Sequence, residues 1–305
     1  MSETKEELFD SKFLKKLEML NILSRRLFAG ATRGERRSTH RGLSVEFADY
    51  REYSDGDDLR YVDWNAVARL NHFFLKLFVE EEDLFVYIIL DATKSMGFGA
   101  PEKLTYAKRI AAALAYIALA NLDRVAVEVL SGPEGDAPAA PGAEQRLAAT
   151  RGKQNIFKVF DFLKHVTAGG AAALSDSLER FAARNSKPGL AIIMSDLMDP
   201  KGLSKGVDFL RYRKFQPVVI HILSPEEIEP GQSGDWRLVD SETGGHVDIS
   251  MTKAVLDSYR KRLNAFLDYT ETFCKRRSIP YLRAVSSTPF EDLMLRYLRQ
   301  ASVVA

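Results

Sequence analysis

The sequence predicts an α/β fold of the Rossmann type, in which an open, doubly wound and mostly parallel sheet follows a small helix-plus-strand extension. The order of the elements supports this prediction. From residue 84 onward, short apolar runs rich in β-branched residues alternate with longer stretches of helical spacing. Such runs are typical of parallel strands buried on both faces, and the helices between them cover the sheet. The composition, 46% apolar and 28% charged, is that of an ordinary globular protein.

The extension is predicted to occupy residues 1–82. Apolar residues recur at helical spacing over residues 5–28, so an amphipathic helix opens the chain. A basic loop, residues 30–42, follows it. The segments SVEFADY and HFFLKLFVEEE then predict two short strands, because their apolar residues alternate or cluster as in strands.

The second unit, residues 83–305, begins with the alternating pattern. Its parallel strands are predicted at LFVYIILD, VAVEVL, LAIIMSD and PVVIHIL. Helices are predicted over residues 104–121, 156–166, 174–185 and 203–211. A hairpin over residues 236–250, a helix over 252–277, a strand over 280–285 and a helix over 290–299 complete the unit. The Pro/Gly/Ala-rich residues 132–142 predict a surface loop.

Oxygen-bearing side chains follow two of these strands. Asp91, Thr93 and Ser95 occupy alternate positions after the first run, and Asp196 ends the third. In doubly wound folds ligands bind beyond the carboxyl ends of the strands, and hard oxygen ligands suit Mg²⁺. We therefore predict a Mg²⁺ site at this edge. The alternative is that the acids cap helices or loop amides without a metal.

The stretch DYREYSDGDDLRYVDWNAVARL, residues 49–70, interleaves carboxylates, guanidiniums and aromatic rings. Buried charges must be paired and hydrogen-bonded, so this composition favours an internal clamp that ties the extension to the second unit. A docking surface for a partner is the alternative. In the clamp, Asp57, Asp58 and Asp63 pair with Arg51, Arg60 and Arg69 respectively, while the indole of Trp64 packs underneath.

Two resemblances rest on these motifs. DATKS resembles the DxSxS of the metal-ion-dependent adhesion site in von Willebrand factor A domains, with Thr93 in place of the first serine and Asp196 as the later acid. From Arg36 to the C-terminus, segments such as EEEDLFVYIILDATKSM and LVDSETGG are similar to the bacterial domain-of-unknown-function family fifty-eight. The resemblance implies a von Willebrand A-like, non-catalytic adaptor, usually encoded beside a MoxR-type AAA+ ATPase and binding it as a partner.

The chain departs from the family pattern at a third loop. The pattern places a threonine after a double glycine, whereas AGGAAAL has Ala171 at that position. We therefore expect Mg²⁺ to be held weakly or not at all. Water or a partner's carboxylate would complete the site, and other proteins would bind through this face.

Two other functions are alternatives. A metal-dependent hydrolase could use Asp91 and Asp196, but the phosphotransferases that resemble it carry a second acid where this chain has Thr93. His221 lies on an apolar strand and is predicted to be a core histidine. A nucleic-acid-binding module could use a cluster of arginines, but no aromatic residues are interleaved with them for base stacking. These arginines are Arg25, Arg26, Arg33, Arg36, Arg37 and Arg41.

Location is predicted from what the sequence lacks. Cys274 is the single cysteine, so no intrachain disulfide can form. The start MSETKEELFD has no secretory signal pattern, and the longest apolar run, IAAALAYIALA, is far short of the roughly 20 residues that cross a bilayer. We expect a cytoplasmic, non-enzymatic protein without a membrane span.

Overall fold

The computed structural model describes residues 8–31, 46–70, 72–79, 84–131, 145–199, 202–231, 234–239 and 245–304. The strands in these ranges are β1 Glu46–Glu52, β2 Phe74–Val79, β3 Phe85–Asp91, β4 Arg124–Leu130, β5 Arg146–Arg151, β6 Leu190–Ser195, β7 Gln216–Leu223, β8 Asp235–Val239, β9 His246–Ser250 and β10 Tyr281–Val285. The helices are α1 Ser11–Ala31, α2 Trp64–Leu70, α3 Lys103–Ala120, α4 Ile156–His165, α5 Leu174–Arg184, α6 Ser204–Tyr212, α7 Pro225–Ile228, α8 Lys253–Arg276 and α9 Phe290–Val304.

A six-stranded sheet with the order β10-β7-β6-β3-β4-β5 forms the centre of the molecule. All neighbouring strands in it are parallel except β4 and β5. Alternate residues of β3 enter different hydrophobic cores: Ile88 packs on the side of α3 and α9, and Ile89 on the side of α5 and α6. Helices therefore cover both faces, which confirms the predicted doubly wound, mostly parallel α/β class.

Strand β3 is the point at which the strand order reverses, because β4 lies on one side of it and β6 on the other. The connection after β3 leads to β4 on one side, and the connection after β6 leads to β7 on the other side. Because these two connections run in opposite directions, the loops that follow β3 and β6 diverge at the carboxyl edge of the sheet. The residues that follow these two strands, Asp91 onward and Asp196 onward, are thereby placed at the usual ligand crevice of such folds.

Helix α1 belongs to the core of the six-stranded unit. Asp10 Oδ1 accepts the amide of Phe13 at 2.7 Å and so fixes the start of the helix. Phe13 and Leu17 are buried, and the ring of Phe13 lies 5.0 Å from that of Phe290 on α9. The sequence assigned this helix to the extension, whereas the structure packs it against α3 and α9. Residues 5–7 of its predicted span lie outside the described residues.

The remaining part of the extension is a small unit of its own. Strands β1 and β2 pair in antiparallel fashion, as the two predicted short strands require. Val62 and Leu75 are buried between them and α2. Helix α2, of seven residues, was not predicted, because its sequence WNAVARL is too short to show an apolar period.

Two further elements complete the comparison with the sequence. The predicted hairpin is present as β8 and β9. Strand β5 was missed, because it is an edge strand with a largely exposed, polar sequence, RLAATR. Residues 32–45, which hold most of the predicted basic loop, and the predicted surface loop at 132–142 lie outside the described residues. Among the described helices, none combines the length and apolarity needed to cross a membrane.

Candidate functional site

Asp91 ends β3 and anchors the carboxyl edge of the sheet. It is buried, with 6% of its surface exposed. Its Oδ1 accepts the amide of Thr93 at 3.0 Å and the hydroxyl of Thr93 at 2.7 Å. Its Oδ2 accepts the hydroxyl of Ser195 at 2.5 Å. The carboxylate therefore joins the loops after β3 and β6 through donors that the protein itself supplies.

The predicted ligands Asp91, Thr93 and Ser95 lie together. The Oγ atoms of Thr93 and Ser95 are 3.1 Å apart, and Ser95 is partly exposed. The third loop is tied to the first by two backbone hydrogen bonds, from Gly169 N to Ala92 O and from Lys94 N to Gly170 O. The position that follows this double glycine is occupied by a methyl group, as the sequence indicated.

Asp196 follows β6 and is bound by a lysine that the sequence gave no reason to choose. Lys103, the first residue of α3, donates from Nζ to Asp196 Oδ2 at 2.7 Å and also to Glu227 Oε1. Lys103 is 1% exposed and Asp196 is 2% exposed. The other oxygen of Asp196 accepts the amide of Met198 at 3.2 Å. A buried ammonium is therefore shared by two carboxylates at this edge.

Glu227 is held in place by the start of α7. Its Oε2 accepts the amide of Ser224 at 2.7 Å, and the Ser224 hydroxyl accepts the amide of Glu227, which is a reciprocal capping box. The sequence SPEE carries this signature after β7, so the cap was readable from the sequence. Its role in binding Lys103 was not.

Two acids, Asp91 and Asp196, are buried close to each other at the carboxyl edge. Burial, followed by the charge of Asp196, raises the pKa of Asp91 to about 6. A carboxyl with a raised folded-state pKa stabilises the fold most below pH 4, and that contribution is lost as the pH rises toward 6. Burial lowers the pKa of His221 to about 4. His221 is fully buried and its Nδ1 lies 2.8 Å from the Tyr281 hydroxyl, the surroundings of a core histidine.

The donor set fits a Mg²⁺ site only in part. Asp91, Thr93 and Ser95 supply hard oxygens that lie close together, and Mg²⁺ prefers such ligands. Asp196 does not fit, because its oxygens are bonded to Lys103 and to a backbone amide. Ala171 supplies no ligand atom. Within the described residues, no group of three or more His, Cys, Asp or Glu side chains is arranged to hold a metal ion.

The predicted clamp residues form local pairs within the small unit. Arg51 binds both oxygens of Asp57 at 2.8 Å. Arg60 binds Asp58 two residues before it, and both side chains are exposed. These two pairs match the predicted partners, but they link residues that are close in the chain.

Asp63 has different partners from those predicted. It accepts the Tyr50 hydroxyl at 2.8 Å, lies 3.1 Å from Lys76 Nζ, and caps α2 by accepting the amide of Asn65 at 3.0 Å. Tyr50 and Lys76 together lower its pKa to about 2. Asp63 therefore joins β1, β2 and α2.

The other two predicted clamp residues lie on the surface. Trp64 is 59% exposed, so it does not pack beneath the ion pairs as expected. Its ring contacts Phe73, itself exposed. Arg69 is exposed and forms no ion pair within the part of the chain that the structure describes. The arginine-rich segment cannot be placed in the same way: the side chains of Arg25 and Arg26, and all of residues 32–45, fall outside that part.

A family model described as "Protein of unknown function DUF58" matches residues 49–266. The uncharacterized protein Rv1480 of Mycobacterium tuberculosis and the uncharacterized protein Mb1516 of Mycobacterium bovis are also similar to the chain. Each is 23% identical over 257 residues, which cover 83% of this chain and 78% of the relative.

Solved structures resemble the fold more distantly. The conserved hypothetical protein BatB from Bacteroides thetaiotaomicron matches with 14% identity and a TM-score of 0.43 over 73% of this chain and 100% of that one. A von Willebrand factor type A protein from Catenulispora acidiphila matches with 18% identity and a TM-score of 0.34 over 49% of this chain and 35% of that one.

Proposed function

This chain belongs to the family of unknown function DUF58, and we propose that it is a non-catalytic interaction protein that binds a MoxR-type AAA+ ATPase during protein assembly or maturation. The contact face is the carboxyl edge of the six-stranded sheet. The proposal places the protein in the cytoplasm, where such an ATPase acts.

One observation carries the non-catalytic part of the proposal. The polar groups at the carboxyl edge are bonded to one another and buried, while apolar side chains on the same loops are exposed. Asp91, Ser195 and Asp196 are 6%, 1% and 2% exposed, whereas Phe98 and Met198 are 50% and 43% exposed. A substrate would meet the apolar side chains first. Exposed apolar residues above a rigid polar network are typical of a protein-binding surface.

The edge retains the form of an adhesion-type metal site in a degenerate state. Asp91, Thr93 and Ser95 could hold Mg²⁺ weakly, and a bound ion would supply an open position for a partner's oxygen. The ammonium of Lys103 already provides a positive charge to Asp196 and Glu227. We therefore propose that partner binding does not require Mg²⁺.

The same geometry disfavours the hydrolase alternative. A hydrolase that uses Asp91 and Asp196 needs both acids accessible to its substrate and one of them free to exchange a proton. Asp196 is bonded to a lysine and to a backbone amide. Thr93 stands where the related phosphotransferases have their second acid, and its hydroxyl is bonded to Asp91.

The proposed function is tested by calorimetric titration of the full-length protein into a purified MoxR-type ATPase from the same organism. Saturable binding, together with no turnover of phosphate esters in Mg²⁺, supports the proposal. Absence of binding contradicts the partner assignment. Mg²⁺-dependent turnover that Asp91→Ala abolishes would establish the hydrolase in its place.

A further inference from the structure

A cavity that Asp91 and Asp196 do not line is present between α1, the start of α3 and the loop from β10 to α9. Its volume is about 370 Å³. The loop has the sequence SSTP and follows β10, an edge strand, so the cavity lies at the carboxyl edge of the sheet but not at the point where the strand order reverses. The polar residues that line the cavity include Lys12, Lys16, Tyr106, Arg109, Ser286, Ser287 and Thr288.

Three of the lining side chains have buried polar atoms without a partner. The hydroxyls of Ser286 and Tyr106 belong to residues that are 3% and 5% exposed, and neither forms a hydrogen bond within the part of the chain that the structure describes. The Nε of Arg109 is also buried and unbonded. Buried polar groups are nearly always satisfied, so three unsatisfied donors around one cavity indicate a missing acceptor.

Arg109 is the most informative of the three. It is partly buried on α3, and within the described ranges it forms neither a hydrogen bond nor an ion pair. A guanidinium withdrawn from water normally has a carboxylate or phosphate partner, because its planar donors match two oxygens at once. The cavity therefore offers a charged donor that the protein itself leaves without an anion.

Cationic side chains outnumber acids among the residues that line the cavity, which favours an anion as the ligand. Lys12 and Lys16 are exposed at its rim, and the N-terminus of the 15-residue helix α9 opens into it. Peptide N–H groups and the helix dipole at such an end favour negative charge. Two acids, Asp10 and Glu291, also line the cavity. Asp10 caps α1, and Glu291 is paired with Lys16, so within the described ranges Lys12 and Arg109 are the lining cations without an ion pair.

We propose that this cavity binds a phosphate group, with Arg109 as the principal ligand and the hydroxyls of Ser286, Ser287 and Thr288 as further donors. A phosphate supplies several acceptor oxygens and up to two negative charges, which matches one guanidinium, three hydroxyls and a helix N-terminus. Phe13 and Phe290 form the apolar wall beside these groups, so a phosphomonoester with an apolar substituent fits the same cavity. The cavity lies at the same carboxyl edge as the proposed ATPase contact, but Asp91, Phe98, Asp196 and Met198 do not line it, and phosphate binding here does not depend on the proposed function.

The test is calorimetric titration of the full-length protein with inorganic phosphate and with phenyl phosphate, in a buffer of low ionic strength. We expect saturable binding that Arg109→Met weakens at least about tenfold. Arg124→Met is the matched control, because Arg124 is a partly buried arginine at the start of β4 that does not line the cavity. It should leave the affinity unchanged.

Lys12→Met provides a second variant at an exposed position, so the test does not depend on the folding of the Arg109 variant. It should weaken phosphate binding less than Arg109→Met does, but measurably. Stronger binding of phenyl phosphate than of inorganic phosphate would identify a phosphomonoester as the ligand. Absence of binding to either probe, or equal weakening by Arg109→Met and Arg124→Met, would overturn the proposal.

Discussion

Lys103→Met tests whether the buried ammonium balances the acids at the carboxyl edge. Methionine keeps the aliphatic length of the lysine and removes only its charge and donors. The side chain is 1% exposed and begins α3, where both desolvation and the positive end of the helix dipole oppose a cation. Its presence there is explained by its bonds to Asp196 and Glu227.

The expected loss of stability follows from the two acids that Lys103→Met leaves without their cation. Removing one partner of a buried ion pair costs about 3–5 kcal/mol, because a charge remains buried without compensation. Here the remaining acids keep some support, since Asp196 accepts the Met198 amide and Glu227 accepts the Ser224 amide. Glu227 also retains 15% side-chain exposure. We therefore expect the lower end of that range, about 3 kcal/mol.

Urea unfolding monitored by circular dichroism measures the free energy of unfolding of both proteins. Lys94→Met is the matched control, because Lys94 is exposed on the same edge and should change stability by less than about 0.5 kcal/mol. Adding Asp196→Asn to Lys103→Met should recover part of the loss, since the two residues are in contact. A loss below about 1 kcal/mol for Lys103→Met would refute the assignment of the ammonium as the balancing charge.

Three further predictions concern the same network, the small unit and the core. Mg²⁺ should raise the unfolding midpoint of Lys103→Met more than that of the wild type, because the substitution leaves two acids without a cation. Equal shifts in both proteins would show that Mg²⁺ and the ammonium of Lys103 do not compete for Asp196. Asp63→Ala should lower the melting temperature more than Asp58→Ala, since Asp63 joins three elements and caps α2 whereas the Asp58 pair is exposed; the reverse order would restore the predicted arginine clamp. His221→Leu should remove part of the pH dependence of the free energy of unfolding. Because the pKa of His221 falls from 6.5 to about 4 on folding, the native state binds fewer protons between these values, and stability is lost as the pH falls through that interval. Between pH 7 and pH 4 the variant should therefore lose about 3 kcal/mol less than the wild type in chemical denaturation, and parallel losses would mean that His221 is not buried in its neutral form.

The fold was predictable from the sequence because buried parallel strands leave a strong local signal. The run LFVYIIL, residues 84–90, is apolar or aromatic at every position, which few other structures require. Edge strand β5 and the short helix α2 leave no such signal, since one is mostly solvated and the other spans only seven residues.

The candidate site was predictable only where the ligands lie at alternate positions of one short segment. Asp91, Thr93 and Ser95 share a loop, and the structure brings them into contact. The ion pair of Lys103 with Asp196 joins residues 93 positions apart, and no local pattern marks which lysine will be buried. The partners of Asp63 were missed for a similar reason, because the pairing of β1 with β2 decides them.

The most direct test of the proposed function is whether the exposed apolar residues at the carboxyl edge bind the ATPase. Phe98→Ser and Met198→Ser should each weaken the calorimetric affinity of this protein for the MoxR-type ATPase by about tenfold, as truncation of a central contact does. Tyr212→Ser is the control, since Tyr212 is 81% exposed at the end of α6 and therefore lies at the opposite edge of the sheet. The first two variants should weaken the affinity, and the control should leave it unchanged. Affinity unchanged in all three, or weakened only by Tyr212→Ser, would contradict binding through the carboxyl edge.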